Sequence, residues 1–127
     1  MIDLHRDGVK EGVHLVTEIN GKQTAKIMFV KGLCLNRNIA GEVEEKEDLP
    51  NPYIGDNLAF SLQSVVKMNE LYPGLSRKIY LNERRYSTHM RPYSHFMEWG
   101  AQTNTSEEAM NAVEPVAEIQ AKVLQKD

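Results

Sequence analysis

The dipeptide Asn20-Gly21, set between two stretches of strand chemistry, constrains the fold of this chain more than any other feature. Both residues tolerate positive φ, so they close a two-residue turn whose twist suits the strands on either side. An antiparallel hairpin with arms 13–19 and 22–30 follows. In the second arm Ala25, Ile27 and Phe29 fall on one face and Met28 and Val30 on the other. Apolar groups on both faces place that arm inside a covered sheet.

The rest of the chain is read around this hairpin. Residues 1–4 are the end of a short strand that enters the polar cluster Asp3, His5, Arg6 and Asp7 before Gly8. Residues 31–51, with Gly32, Gly41 and the acidic run 42–48, read as an exposed loop. Asn51-Pro52 has the form of an N-cap and first helical residue, and Leu58, Leu62, Val65, Val66 and Asn69 follow at helical spacing until Tyr72-Pro73-Gly74. A short strand is expected over 78–81, a polar connection over 84–91 closed by Pro92, and a strong strand over 93–99 ended by Gly100. Thr105-Ser106-Glu107-Glu108 is a capping box, and Ala109, Val113, Val116, Gln120 and Val123 carry the helix onward. Pro115 must kink or restart that helix, because it lacks an amide proton and clashes with the preceding turn. This order predicts an α/β fold, helices packed on a mixed sheet, in a single domain over residues 1–127. A chain of this size buries roughly two-thirds of its unfolded surface, enough for one core.

The net charge of −3, with no Lys/Arg cluster beyond Arg84-Arg85, leaves no basic stripe to neutralise phosphates, so nucleic acid is not an expected partner. The lone Cys34 excludes an internal disulfide and a Cys-rich zinc site. No stretch approaches the roughly 20 apolar residues of a spanning helix. The first seven residues carry charges where a signal peptide needs an apolar run, so any export signal is expected outside this chain.

Four histidines, His5, His14, His89 and His95, share no tight ligand spacing. His5 is the best candidate, at a strand end beside two carboxylates able to fix its tautomer; the alternative is a surface histidine. Glu98 lies within Phe96-Met97-Glu98-Trp99, where a buried carboxylate is costly and acquires the raised pKa a general base needs. Its alternative is an edge position in water. Alternation puts Ser94, Phe96 and Glu98 on one face, so His95 is expected to point away from Glu98. His14 and His89 read as solvated, and Tyr72, Tyr80, Tyr86 and Trp99 as core or groove lining.

In the segment Ile2-Asp3-Leu4-His5-Arg6-Asp7-Gly8 the chain resembles the stage II sporulation protein P family. The similarity continues in order through Asn20-Gly21-Lys22, residues 25–30, Asn57-Leu58-Ala59, Leu71-Tyr72-Pro73-Gly74-Leu75-Ser76-Arg77, Ile79-Tyr80-Leu81, Arg85-Tyr86, Glu98-Trp99-Gly100 and residues 103–109. It covers nearly all 127 residues. The resemblance implies a zinc-dependent N-acetylmuramoyl-L-alanine amidase that removes stem peptides from peptidoglycan during engulfment, in an extracytoplasmic, membrane-anchored family. By the same resemblance His5 is a zinc ligand, Glu98 the catalytic acid or base, and Asp3, Arg6, Asp7, Arg77 and Arg85 flank the ligand or line the groove.

The chain resembles the C-terminal half of such an amidase, and the family's first His and Glu ligands lie before the matched segment. Catalytic zinc usually takes three protein ligands, so Zn2+ is expected to bind weakly or not at all to this chain alone. Three readings follow: an amidase portion that needs further ligands, a non-catalytic module that binds wall or protein, and a metal site rebuilt from His5 with His14 or His89. Other wall hydrolases are candidate partners, and an uncovered sheet edge is expected to promote self-association. Trp99, His95, the acidic loop 39–49 and Pro115 depart from the family pattern, and the expectation is that they alter the groove rather than the fold.

Overall fold

The computed structural model describes residues 1–37, 40–45 and 50–125. Its centre is a mixed four-stranded sheet in the order β1-β8-β4-β7, formed by β1 (Ile2–Asp7), β8 (His95–Ala101), β4 (Ile27–Gly32) and β7 (Tyr80–Asn82). β8 runs parallel to β1 and antiparallel to β4, and β4 runs parallel to β7. The chain has the α/β architecture with a mixed sheet that its element order predicts.

The turn at Asn20-Gly21 forms with φ of 52° and 76°, joining β2 (Val16–Ile19) to β3 (Lys22–Ala25). The second arm does not run through to Val30, however. At Lys26 the backbone turns out of the hairpin, because its amide donates to Leu15 and its carbonyl accepts from Gly100 at the end of β8. The chain re-enters as β4 in the main sheet, every residue of which is buried. β1 also differs from expectation: pairing with β8 carries it through the whole polar cluster to Asp7.

The expected loop over 31–51 contains structure. Lys31, Gly32 and Cys34 are buried, and β5 (Leu35–Arg37) pairs with β6 (Val43–Glu45) as a small outlying hairpin. Residues 38, 39 and 46–49 of that loop lie outside the described residues.

Helix α1 (Ile54–Leu71) starts later than Asn51-Pro52 suggests, with Asn51 instead accepting from the Tyr53 amide. Its buried stripe is Asn57, Phe60, Ser61, Ser64 and Met68, while Leu62 and Val66 are more than half exposed. Hydropathy misplaces the face because three of the buried residues are polar and bonded inside. The Asn57 amide bridges the Thr88 carbonyl and the Ser94 amide, and Ser61 and Ser64 meet the His95 ring. α2 (Ser106–Asn111) and α3 (Val113–Leu124) replace one long helix, and Pro115 falls in the first turn of α3, where a missing amide proton costs nothing. The Thr105 hydroxyl caps α2 through the Glu108 amide, whereas the Glu108 carboxylate reaches His14 and Asn104 rather than closing the box. Burial alone would raise the Glu108 carboxyl, but the bonds from Asn104 and His14 bring it below the usual range.

The main core lies between the sheet and the helices, built from Ile27, Phe29, Met68, Leu75, Met97, Val116 and Ile119. Met28, Val30 and Phe96 form a smaller cluster on the other face, with Tyr86 packed against it. Lys31, 2% exposed on β4, donates to the Ser94 carbonyl at 2.8 Å, and burial pulls its ammonium down to about 8 from 10.5. The unfolded chain therefore binds more protons between these values, and stability rises as pH climbs through that window. Keeping the charge buried at neutral pH costs about 3 kcal/mol, against roughly 2 kcal/mol for the charge-assisted hydrogen bond it makes. Lys31→Met is expected to stabilise the protein by about 1 kcal/mol at pH 7, with the gain vanishing toward pH 10.5. Urea denaturation of both proteins at the two pH values measures this, and a loss of stability at pH 7 would contradict it.

Candidate functional site

The parallel register of β1 and β8 sets Asp3 beside Phe96 and His5 beside Glu98. Alternation puts these four side chains on the sheet face away from the helices. Between His5 and Asp7 the register slips by one residue against β8. Gly100 takes φ of +63° there, and a Cβ on it would lie 2.5 Å from the Asn104 side-chain oxygen. That oxygen accepts from the Ala101 amide, and the Asn104 amide group donates to Leu15 and Glu108. The extra residue of this bulge lies in β8, and alternation along β1 keeps Asp7 on the same face as Asp3 and His5.

Asp7 receives Arg77 Nη1 at 2.8 Å. Asp3 holds two partners, accepting from the Ser87 hydroxyl at 2.6 Å and meeting His5 Nε2 at 2.9 Å. The His5 ring stacks on Phe96, with centroids 4.2 Å apart. With Nε2–H given to Asp3, the Nδ1 lone pair of His5 is the nitrogen available to a ligand.

Glu98 is half-buried, and its Oε2 is buried without a hydrogen-bond partner among the described residues. Desolvation raises its pKa, the Asp7 carboxylate adds to the rise, and His5 and Arg77 oppose it. The carboxyl faces a groove of about 410 Å³ lined by Asp7, Met28, Val30, Arg77, Tyr80, Asn82, Arg84, Tyr86 and Glu98.

Of the residues singled out from sequence, Asp3, His5, Asp7, Arg77 and Glu98 gather on this face. Arg6 and Arg85 do not line the groove. The Arg6 guanidinium donates to the Asn104 carbonyl and ties β1 to the loop before α2. The Arg85 carbonyl presses on β4 at Gly32, where a Cβ would lie 2.3 Å away, and the adjacent Arg84 enters the groove instead. Tyr86, at φ of 53°, turns its ring onto Phe96 as a groove wall. Asn104, the clamp at the bulge, escaped notice because nothing in its local sequence announces a long-range role.

His95 is fully buried on the opposite face, stacked on Phe60 at 3.9 Å, and Trp99 packs into the main core. These departures from the family pattern therefore do not shape the groove. His14 binds Glu108 at 2.6 Å and His89 meets the Tyr86 carbonyl, so neither joins His5. Among the described residues no group of three or more His, Cys, Asp or Glu side chains is placed to hold a metal ion. A three-ligand zinc set does not fit these residues alone.

The model of the family described as Stage II sporulation protein P matches residues 1–121. The chain belongs to this family. Membership links it to sporulation, and the match spans every element of the sheet and all of α1 and α2. No curated protein and no solved structure matches the chain. Among the described residues no helix is long and apolar enough to cross a membrane.

Proposed function

We propose that the groove at β1 and β8 is the hydrolytic half-site of a peptidoglycan amidase, with Glu98 as general base and His5 as a metal ligand. The observation that carries this reading is the Glu98 carboxyl. One of its oxygens is buried with no hydrogen-bond partner among the described residues, and the residue lines a groove in register with a histidine that Asp3 holds. Desolvation brings its proton affinity toward the working range of a base at neutral pH.

In the proposed reaction Glu98 takes a proton from a water attacking the amide carbon. It then delivers that proton to the leaving amine nitrogen, so the C–N bond breaks with charge balanced. Phe96, Met28 and Val30 keep the floor dry, which strengthens each electrostatic contact of the carboxylate. The Arg77–Asp7 pair holds the second carboxylate at a fixed place beside Glu98.

His5 supplies one donor of the three that catalytic zinc takes from protein, so the remaining donors must come from outside the described residues. Purified 1–127 is accordingly expected to hold zinc weakly and to release no stem peptide by itself. Equilibrium dialysis against zinc, with an assay for newly exposed amines on soluble muramoyl-peptides, tests both points. One tightly held zinc per chain together with amide cleavage would overturn the ligand count. The same scarcity of ligands favours a second reading, a wall-binding module without catalysis. It predicts that supplying the missing donors gives zinc binding without turnover.

A further inference from the structure

We infer that the end of the groove remote from Glu98 is a carboxylate subsite, in which Arg84 reads a free carboxylate on the peptide whose amide Glu98 serves. The inference rests on the amidase reading for its substrate class, and on four features of the groove for its position.

First, the two guanidinium groups in the groove are differently committed. Arg77 is held by Asp7 at 2.8 Å, whereas Arg84 makes no ion pair among the described residues. Among the described residues Arg84 is thus the uncompensated cation of the groove, and a guanidinium matches the geometry of a carboxylate.

Second, Arg84 stands on an anchored segment. Its amide donates to Asn82 Oδ1 at 3.0 Å, and the carbonyls of Arg84 and Arg85 abut the backbone at Gly32, where a Cβ would sit 2.4 and 2.3 Å away. Thr88 ties to the Arg85 carbonyl at 3.1 Å, and Asn57 holds the Thr88 carbonyl at 2.7 Å. A subsite on so fixed a backbone needs only the exposed Arg84 side chain to be ordered when it binds.

Third, the span suits a short peptide. Glu98 pairs with Met28 and Asn82 with Gly32, four residues apart along β4 and two strands across the sheet. At about 3.3 Å per residue and about 4.8 Å per strand the backbones are roughly 16 Å apart. Side chains reaching inward from both ends reduce this to roughly 10–13 Å, the length of three to four extended residues.

Fourth, the walls between the two ends suit a peptide backbone. Met28, Val30 and the Tyr86 ring make an apolar floor, with Tyr80 and Asn82 at the rim. The favoured ligand is therefore an extended peptide with a free carboxylate three to four residues from the cleaved amide.

The test is binding, which does not require turnover. A stem tetrapeptide with a free C-terminal carboxylate, and the same peptide as its C-terminal amide, are titrated calorimetrically into 1–127, Arg84→Gln and Arg84→Lys. The acid is expected to bind the parent about fivefold more tightly than the amide, as suits a partly exposed charge pair. Arg84→Gln abolishes the preference, and Arg84→Lys keeps part of it. Equal binding of acid and amide to the parent, binding of neither, or a preference that survives in Arg84→Gln would overturn the subsite. Failure of the amidase reading shows separately, as absence of amide cleavage by the chain supplied with the remaining metal ligands, with the carboxylate preference of 1–127 intact.

Discussion

Acidification from pH 6.5 to 4.5 is expected to remove about 2 kcal/mol of stability through His95 alone. The ring lies fully buried between Phe29 and Phe60. Burial, the nearby Lys31 ammonium and the N-terminal charge drive its pKa down to about 3 from 6.5, with the Gln120 bond opposing them. Its hydrogen bonds suit the neutral ring, since Nε2–H donates to Gln120 Oε1 at 3.1 Å and Nδ1 accepts from Ser61 at 3.0 Å. Gln120 in turn donates to Ser64 Oγ at 3.2 Å, which donates to the Phe60 carbonyl, so the Nε2 side of the ring is held as a donor.

The sign follows from proton counts. Between about 3 and 6.5 the unfolded chain carries a proton on His95 that the folded chain lacks, so stability falls as pH falls across that window. Glu108, whose carboxyl lies below its usual range, adds loss in the same direction at the acid end. His95→Gln keeps a donor and an acceptor in the cavity but cannot take up the proton. Its stability at pH 7 is expected to drop by about 1–3 kcal/mol through lost stacking and packing. Its dependence on pH between 6.5 and 4.5 becomes correspondingly flatter. Urea denaturation of both proteins across this range reads the difference in slope, and parallel curves would show that His95 titrates normally in the folded state.

This network explains what the sequence did and did not disclose. The turn at Asn20-Gly21, the heavy burial of residues 27–30, the Thr105 cap and the restart at Pro115 are local matters of φ, hydropathy and hydrogen bonding. They were legible for that reason. The inner face of α1 was not, because Asn57, Ser61 and Ser64 are buried only in company with His95, Ser94 and Thr88, bonded partners 31 or more residues away. Apolar spacing instead picks out Leu62 and Val66, which face solvent. The break at Lys26 likewise depends on Gly100 and Leu15, partners that no local pattern reveals.

The candidate site divides along the same line. Alternation within β8 separates Glu98 from His95 by arithmetic alone. The meeting of His5 with Glu98 needs a parallel register between strands at opposite ends of the chain, which only the fold supplies. Choosing Arg84 over Arg85 as the groove cation depends on how the 84–85 backbone seats against Gly32, and so appears only in three dimensions.

Glu98→Gln is expected to lower the rate of stem-peptide release by about 10²–10⁴-fold, the usual contribution of a placed general base. The substitution preserves shape and hydrogen-bonding capacity in the half-buried position beside Phe96 and Met28, and removes only the ability to carry a proton. His5→Ala removes a donor nitrogen and its stack on Phe96, so zinc and activity should fall together. Asp3→Ala, which frees the His5 ring and leaves the Ser87 hydroxyl without its acceptor, should weaken the metal about 10- to 100-fold. The measurement that bears most directly on this division of labour is made on the chain joined to a family segment that supplies the remaining metal ligands. Zinc content and the initial rate of stem-peptide release are recorded together for the parent, Glu98→Gln and His5→Ala. The account predicts full zinc and a rate reduced at least 100-fold for Glu98→Gln, and loss of both for His5→Ala. A Glu98→Gln protein that turned over normally, or that lost its zinc as His5→Ala does, would contradict it.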